Sequence, residues 1–403
     1  MKSAGLIVEY NPFHNGHLYH LQKTKQLTNA DVTVAVMSGN FLQRGEPALV
    51  SKWARTKMAL AAGVDIIIEL PYGFAVQQAT IFARGAVYLL NALRCDHICF
   101  GSERGEIQPF IHTIAFLEKN KTDYEAAVSF HLKKGMSYPN ALAAAFASLN
   151  PPDHIIDLSK PNNILGYHYM LAAKQLQTSI TFDTVGRKHA NYHDQEAIND
   201  SIASATAIRK LLQEHKSIGE IENYIPKETV AELKNYSDTF GQFHQWENYW
   251  SYLQYRLLTM DVDELRNIHE MEEGIEHRLK RAAKQADHFA GFMELVKTKR
   301  YTWTRLQRLC THVLTNTTKT AINNAGTYPA YARLLGMSTT GRQYLNVIKK
   351  ELPIPLIAKA SSFQSESIQL DFQAAHVYAL GLNEPARSKL LLQEFQQPPI
   401  MFS

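Results

Sequence analysis

The sequence predicts an α/β fold: a doubly wound parallel sheet with helices on both faces, followed by a mainly helical domain. Three observations carry this expectation. Through roughly the first two hundred residues, short uninterrupted apolar runs alternate with windows of helical spacing, the pattern of strands buried on both faces. From about residue 245 to residue 314, apolar residues recur at helical spacing. The 403 residues, 45% hydrophobic and 20% charged, have an ordinary globular balance and enough length for two or three domains.

The first strand is expected at residues 4–9 (AGLIVE), running into a turn and a helix at 17–26. A second strand at 31–37 (DVTVAVM) precedes a helix at 51–62. A third at 64–70 (VDIIIEL) precedes a helix at 78–93, and a fourth is expected at 97–100 (HICF). The crossovers should be right-handed, and a ligand should sit beyond the carboxyl ends of the strands. Residues 126–149 read as one alanine-rich helix, broken by the Pro151–Pro152–Asp153 triplet. A helix at 162–176, a strand at 179–185 and a helix at 204–215 follow. The pattern is interrupted near Pro226, which divides the chain into residues 1–227 and 228–403. In the second part helices are expected at 245–260, 274–286, 304–314 and 371–380, with a short strand within 352–359 (LPIPLIAK).

Composition excludes several classes. Cys95, Cys99 and Cys310 are too few and too odd for a disulfide framework, and no second cysteine pair completes a zinc site. Buried thiols in a reducing compartment are expected. The apolar run at the N-terminus is too short for a signal-peptide core, and no stretch of about 18 apolar residues occurs, so a cytoplasmic protein is expected. The net charge is only +4, yet residues 276–310 hold nine basic residues (Arg278, Lys280, Arg281, Lys284, Lys297, Lys299, Arg300, Arg305 and Arg308) against three acids. That local excess, with Tyr301 and Trp303 interleaved, suits a polyanion, although a solvated helix face has the same composition.

The sharpest motif follows the first strand: His14-Asn15-Gly16-His17, an HxGH string opening a helix. Free N–H groups and the dipole at a helix start favour phosphate. Gly16 permits close approach to the backbone. Two histidines at this spacing can both donate hydrogen bonds to charge that develops when a nucleophile attacks an α-phosphorus. Lys52 and Arg55 read as solvated helix residues. The polar loop at residues 38–48 (SGNFLQRGEPA), with Gln43 and Arg44, lies over the expected active face.

HxGH after strand one resembles the nucleotidyltransferase superfamily related to class I aminoacyl-tRNA synthetases. The strings VEYNPFHNGH, MSGNFLQRGEPA, IIELPYGFAVQQA, FGSE, KPNNILGYHY and GRKHANYHD further resemble the bacterial tRNA(Met) cytidine acetate ligase family. The resemblance implies a Rossmann-like nucleotidyltransferase domain at 1–227 and a tRNA-binding region at 228–403. It implies a two-step reaction in which acetate and ATP, carrying Mg²⁺, form acetyl-adenylate. The acetyl group then passes to N4 of the wobble cytidine of elongator tRNA(Met). It assigns catalysis to His14 and His17. It assigns ATP binding to Ile7, Val8, Glu9, Tyr10, Asn11, Pro12, Phe13, His14, Asn15, Gly16, His17, Leu18, Tyr19 and His20, with Gly101, Asn162, Arg187 and Lys188. Residues 202–209 (IASATAIR) resemble the superfamily's second phosphate motif, ISSTxIR. Ser204, Thr206 and Arg209 are therefore candidate phosphate contacts, while Ala203 and Ala205 depart from the pattern. The nine basic residues become candidate tRNA contacts. Two other readings stay open: a small-molecule adenylyltransferase, which has no use for the basic helices, and a non-catalytic RNA-binding protein with a regulatory nucleotide site.

Overall fold

The computed structural model describes residues 1–187, 202–215 and 217–403. Its centre is one sheet of eight strands: β1 (Ser3–Val8), β2 (Val32–Ser38), β3 (Ile66–Leu70), β4 (His97–Ser102), β5 (Thr181–Gly186), β6 (Ala332–Ser338), β7 (Leu356–Ile357) and β8 (Ile400–Phe402). The order is β5–β4–β1–β2–β3–β6–β7, with β8 also paired to β6. Strands β1 to β5 pair in parallel, as the continuous apolar runs require. Every residue of β2 and of β3 is buried, and Cys99 in β4 and Cys95 just before it are buried thiols.

Side chains alternate between two apolar layers. Val32, Val34, Val36, Ile66 and Ile68 pack under the helices Ala79–Ala92, Pro161–Gln175 and Thr339–Ile348. Leu6, Ala35, Met37 and Ile67 pack under Asn15–Thr28, Lys52–Ala61, Ala205–His215 and Lys227–Phe240. A third core joins the helices Trp250–Thr259, Ile275–Ala283, Phe289–Val296 and Trp303–Leu314. It also takes Phe41, Tyr72 and Val76 from the first part of the chain. No helix among the described residues is long and apolar enough to cross a membrane.

Two expectations about the elements are corrected. Residues 126–149 do not form one helix. Lys121–Lys133 and Tyr138–Ser148 are separate, because Gly135 takes φ +81 and Pro139 opens a new first turn. And residues 228–403 are not simply a helical appendage, since they return to the sheet. β6 lies antiparallel to β3, so a strand from the far end of the chain covers what would be a buried, mostly apolar edge. A buried ionic cluster fastens this return. Lys52 Nζ lies 2.7 Å from Glu69 and 2.9 Å from Glu394, and Arg333 lies 2.5 Å from Glu394 and 3.2 Å from Glu69. Lys52, expected on a solvated face, is buried because these two carboxylates neutralise it.

Candidate active site

Beyond β1 the chain turns sharply before the helix Asn15–Thr28. Tyr10 holds φ +50, a conformation that a bulky residue keeps only when packing compensates, and the Asn11–Pro12 peptide is cis. Tyr10 and Phe13 are almost fully buried, with ring centroids 4.7 Å apart. Asn11 Oδ1 accepts from the Leu49 N–H at 2.7 Å. Arg55, also expected in solvent, is 0% exposed. Its Nη1 donates to the carbonyls of Glu9 (2.7 Å) and Ser38 (3.0 Å), and its Nη2 to that of Gly39. It ties the ends of β1 and β2 together.

The two motif histidines cap the helix reciprocally. His14 Nδ1 accepts from the Gly16 N–H at 3.0 Å, and His17 Nδ1 accepts from the His14 N–H at 3.3 Å. This is a capping box in which imidazoles replace the usual hydroxyl and carboxylate. A neutral imidazole has one acceptor and one donor nitrogen, so each Nε2 carries the proton. Burial lowers the His14 pKa to about 3, with Arg187 and Arg209 adding to the effect. His17 is held well below its ordinary value by burial, then by His14, His20 and Arg187. The rings stack at 3.7 Å, an arrangement that two cations would resist. The result is a pair of neutral imidazoles in fixed orientation, each carrying its proton on Nε2, with the His17 ring also bonded to the Pro12 carbonyl. Gly16 is set by the same geometry, since a Cβ there would stand 2.8 Å from His14 Cε1.

These rings border a cavity of about 350 Å³ at the carboxyl ends of β1, β4 and β5, beside the point where the strand order reverses. Of the motif stretch, Ile7, Val8, Glu9, His14, Gly16, His17, Tyr19 and His20 line it. Tyr10, Asn11, Pro12, Phe13, Asn15 and Leu18 do not; the first four build the turn, the last two belong to the helix, and Asn15 Nδ2 donates to the Asn223 carbonyl at 3.0 Å. His20 borders the cavity with its pKa lowered by burial to about 4. Its Nε2 has no hydrogen-bond partner among the described residues. Glu9 accepts from the Gln43 N–H at 2.8 Å, and burial raises its pKa against the pull of that bond and of Arg44.

Gly101, Asn162, Arg187, Ser204, Thr206 and Arg209 also line the cavity; Lys188 lies outside the described residues. A Cβ at Gly101 would find nothing nearer than 4.0 Å, so local packing does not demand glycine there. Ser204 Oγ accepts from the Ala207 N–H at 3.1 Å and caps the helix Ala205–His215. Glu103 accepts from Asn162 Nδ2 at 2.8 Å and from the Asn163 N–H at 2.9 Å, holding the start of Pro161–Gln175. The amino ends of Asn15–Thr28 and Ala205–His215 thus meet one cavity, an arrangement suited to an anion, while that of Pro161–Gln175 is taken by the Glu103 carboxylate. Arg209 is a brace as well as a wall: it donates to the Asn11 carbonyl at 2.9 Å and pairs with Glu46 at 2.9 Å. Sequence reasoning missed the apolar wall of Phe82, Phe100, Leu165 and Tyr169. Leu165 and Tyr169, four apart on one helix, carried a signal; Phe82, from a distant helix, carried none.

The chain matches the HIGH Nucleotidyl Transferase family model over residues 1–393. It is 53% identical over 405 residues to the tRNA(Met) cytidine acetate ligase of Geobacillus sp. (strain WCH70), covering all of both chains. It is 48% identical over 406 residues to that of Bacillus subtilis (strain 168), covering 100% of this chain and 98% of the relative. The chain belongs to the tRNA(Met) cytidine acetate ligase family. A crystal structure of Thermotoga maritima TmcAL, a protein bound there with alpha-thio ATP, superposes with a TM-score of 0.90 at 32% identity over the whole of both chains. The apo form superposes at 0.91 and 33%. The family's fold is therefore the one described above, including the C-terminal strands.

The basic residues outside the cavity divide into two groups. Arg278 Nε donates to the Val296 carbonyl at 2.8 Å, and Lys280 Nζ to that of Leu257 at 3.0 Å, so both finish helix ends. Arg300, Arg305 and Arg308 pair with Glu273, Glu272 and Glu270. Arg281, Lys284, Lys297 and Lys299 are exposed.

Proposed function

We propose that the chain is an ATP-dependent ligase that joins acetate to AMP and passes the acetyl group to N4 of the wobble cytidine of elongator tRNA(Met). The observation that carries this reading is the fixed pair of neutral imidazoles protonated on Nε2, His14 and His17, bordering a cavity met by two helix amino ends, in a chain of this family. Acetate is ionised near neutral pH and requires no general base. Its oxygen bonds to the α-phosphorus as the bond to pyrophosphate breaks. His14 and His17 donate to the oxygens on which charge builds, and the start of Ala205–His215 with Arg187 offers positive potential to the leaving group. Buried, neutral imidazoles serve as donors rather than as proton carriers. In the second step the cytidine N4 bonds to the acyl carbon, the acyl–phosphate bond breaks, AMP leaves and N4 loses one proton. Phe82, Phe100, Leu165 and Tyr169 suit a base or a methyl group. Mg²⁺ fits as a companion of the nucleotide, because the cavity's carboxylates Glu9 and Glu46 are already engaged with Gln43 and Arg209.

The exposed Arg281, Lys284, Lys297 and Lys299 are the residues best placed to meet tRNA phosphates, and the protein is read as cytoplasmic. The deciding experiment is pyrophosphate release from ATP and acetate, with and without tRNA, for wild type and His17→Ala. Acetate-dependent release lost in the variant, with labelled acetyl appearing on tRNA, is expected. Release driven by a phosphorylated small molecule instead would make the protein an adenylyltransferase. ATP binding with no release would make it a regulatory RNA-binding protein.

A further inference from the structure

A second cluster of ligand-type side chains lies outside the cavity, at the seam where the helical core meets the sheet. One ligand atom each from His269, Glu270 and His312 lie within 4.8 Å of one another, and the two imidazole rings meet edge to face at 5.0 Å. Each has one atom already held from behind. His312 Nδ1 bonds the Tyr72 hydroxyl at 3.0 Å, His269 Nε2 bonds the Gln77 side chain at 3.1 Å, and Glu270 Oε1 accepts from Arg308 Nε at 2.8 Å. On two of the three the opposite atom is spare. His312 is 0% exposed and its Nε2 has no hydrogen-bond partner among the described residues; the same holds for the buried Oε2 of Glu270. His269 keeps Nδ1. An imidazole oriented by a bond on its far nitrogen is how metal-ligating histidines are held.

We propose that His269, Glu270 and His312 form a binding site for a divalent transition-metal ion of the zinc class. Two imidazole nitrogens and one carboxylate oxygen suit Zn²⁺ or Co²⁺ and disfavour Mg²⁺ and Ca²⁺, which prefer all-oxygen shells. Arg308 beside Glu270 adds positive charge that weakens binding but fixes the carboxylate. The site has a structural consequence. The Gln77 carbonyl accepts from Gln43 Nε2 at 2.7 Å, and the Gln43 N–H holds Glu9 in the cavity. An ion here would clamp helix Trp303–Leu314 to Tyr72 and Gln77, and through them to the loop over the cavity.

The test is a Co²⁺ titration of full-length, chelator-treated protein, read by visible absorption and equilibrium dialysis. A single equivalent is expected, with the intense d–d bands of low coordination, lost in both His269→Ala and Glu270→Gln and kept in a His14→Ala/His17→Ala double variant. Zn²⁺ should displace the cobalt and raise the melting temperature of wild type but not of His269→Ala. His269 is only partly buried, so its removal leaves the fold testable by circular dichroism. Equal cobalt uptake by wild type and by both seam variants, no uptake at all, or loss only with His14 and His17 would overturn the proposal. His312 would then be a strut against the Tyr72 hydroxyl.

Discussion

His14 serves the fold with one nitrogen and, in the proposed reaction, the chemistry with the other, and the two roles can be separated. In His14→Asn the side-chain oxygen still caps the Gly16 N–H, while the donor at Nε2 is gone. The melting temperature should stay near that of wild type, and acetate-dependent pyrophosphate release should fall about 10²–10³-fold, the usual cost of one transition-state donor. A parallel loss of stability would mean that the ring is needed for packing alone. Gly16→Ala should have a related effect by displacing the His14 ring, seen as a lower kcat in a folded protein. Because His14 titrates only near pH 3 and His17 is likewise depressed, kcat/KM for pyrophosphate release should show no histidine inflection between pH 6 and 8. An inflection near 6.5 that disappears in a His17 variant would instead make His17 a proton carrier. The motif itself was legible in the sequence because its residues are contiguous. The tautomers were not, since they follow from which backbone N–H each ring meets.

At the level of elements, the main strand and helix positions in residues 1–102 were readable because each carries its own period and its own stop, whereas the helix Gln108–Lys119 was not expected and residues 126–149 read as one helix instead of parts of two. Which basic side chains are available was not readable, because that depends on which carbonyls and carboxylates fold back onto them. Replacing Arg281, Lys284, Lys297 and Lys299 by glutamine should weaken tRNA binding and flatten its dependence on salt. The log–log slope should fall by up to about 0.7–0.9 for each phosphate that is no longer neutralised. Pyrophosphate release without tRNA should be unchanged. Arg278→Ala and Lys280→Ala should behave differently, lowering the melting temperature because each caps a helix end, at about 1 kcal/mol per bond. If all six substitutions affected tRNA affinity alike and stability not at all, this division would be wrong.

For the whole molecule, buried histidines set the response to acid. His14, His17, His20, His168 and His244 all have pKa values lowered chiefly by burial. Unfolding lets each take up a proton below about pH 6.5, so stability is full above that value and declines as pH falls toward the depressed folded values. Between pH 7.5 and pH 5 the loss is on the order of 2 kcal/mol for a fully buried ring such as His14 or His244. Glu9 and Asp371, whose pKa values are raised by burial, act in the opposite direction, but they are two groups against seven, since His269 and His312 are lowered by burial as well. The urea midpoint should therefore be clearly higher at pH 7.5 than at pH 5; equal midpoints would mean that the rings hydrate in the native state. The feature least legible in the sequence was β6, because ARLLGMS is a short run between helical patterns and its partner strand lies far away in sequence.

That pairing has a consequence for synthesis. β3 leaves the ribosome early, with one flank already claimed by β2 and the other waiting for residues near the far end of the chain. At about 5–20 residues per second the wait is on the order of tens of seconds. Throughout it a strand that is apolar but for Glu69 presents an open row of amide and carbonyl groups. A nascent chain arrested before Ala332 is thus a natural client for a chaperone.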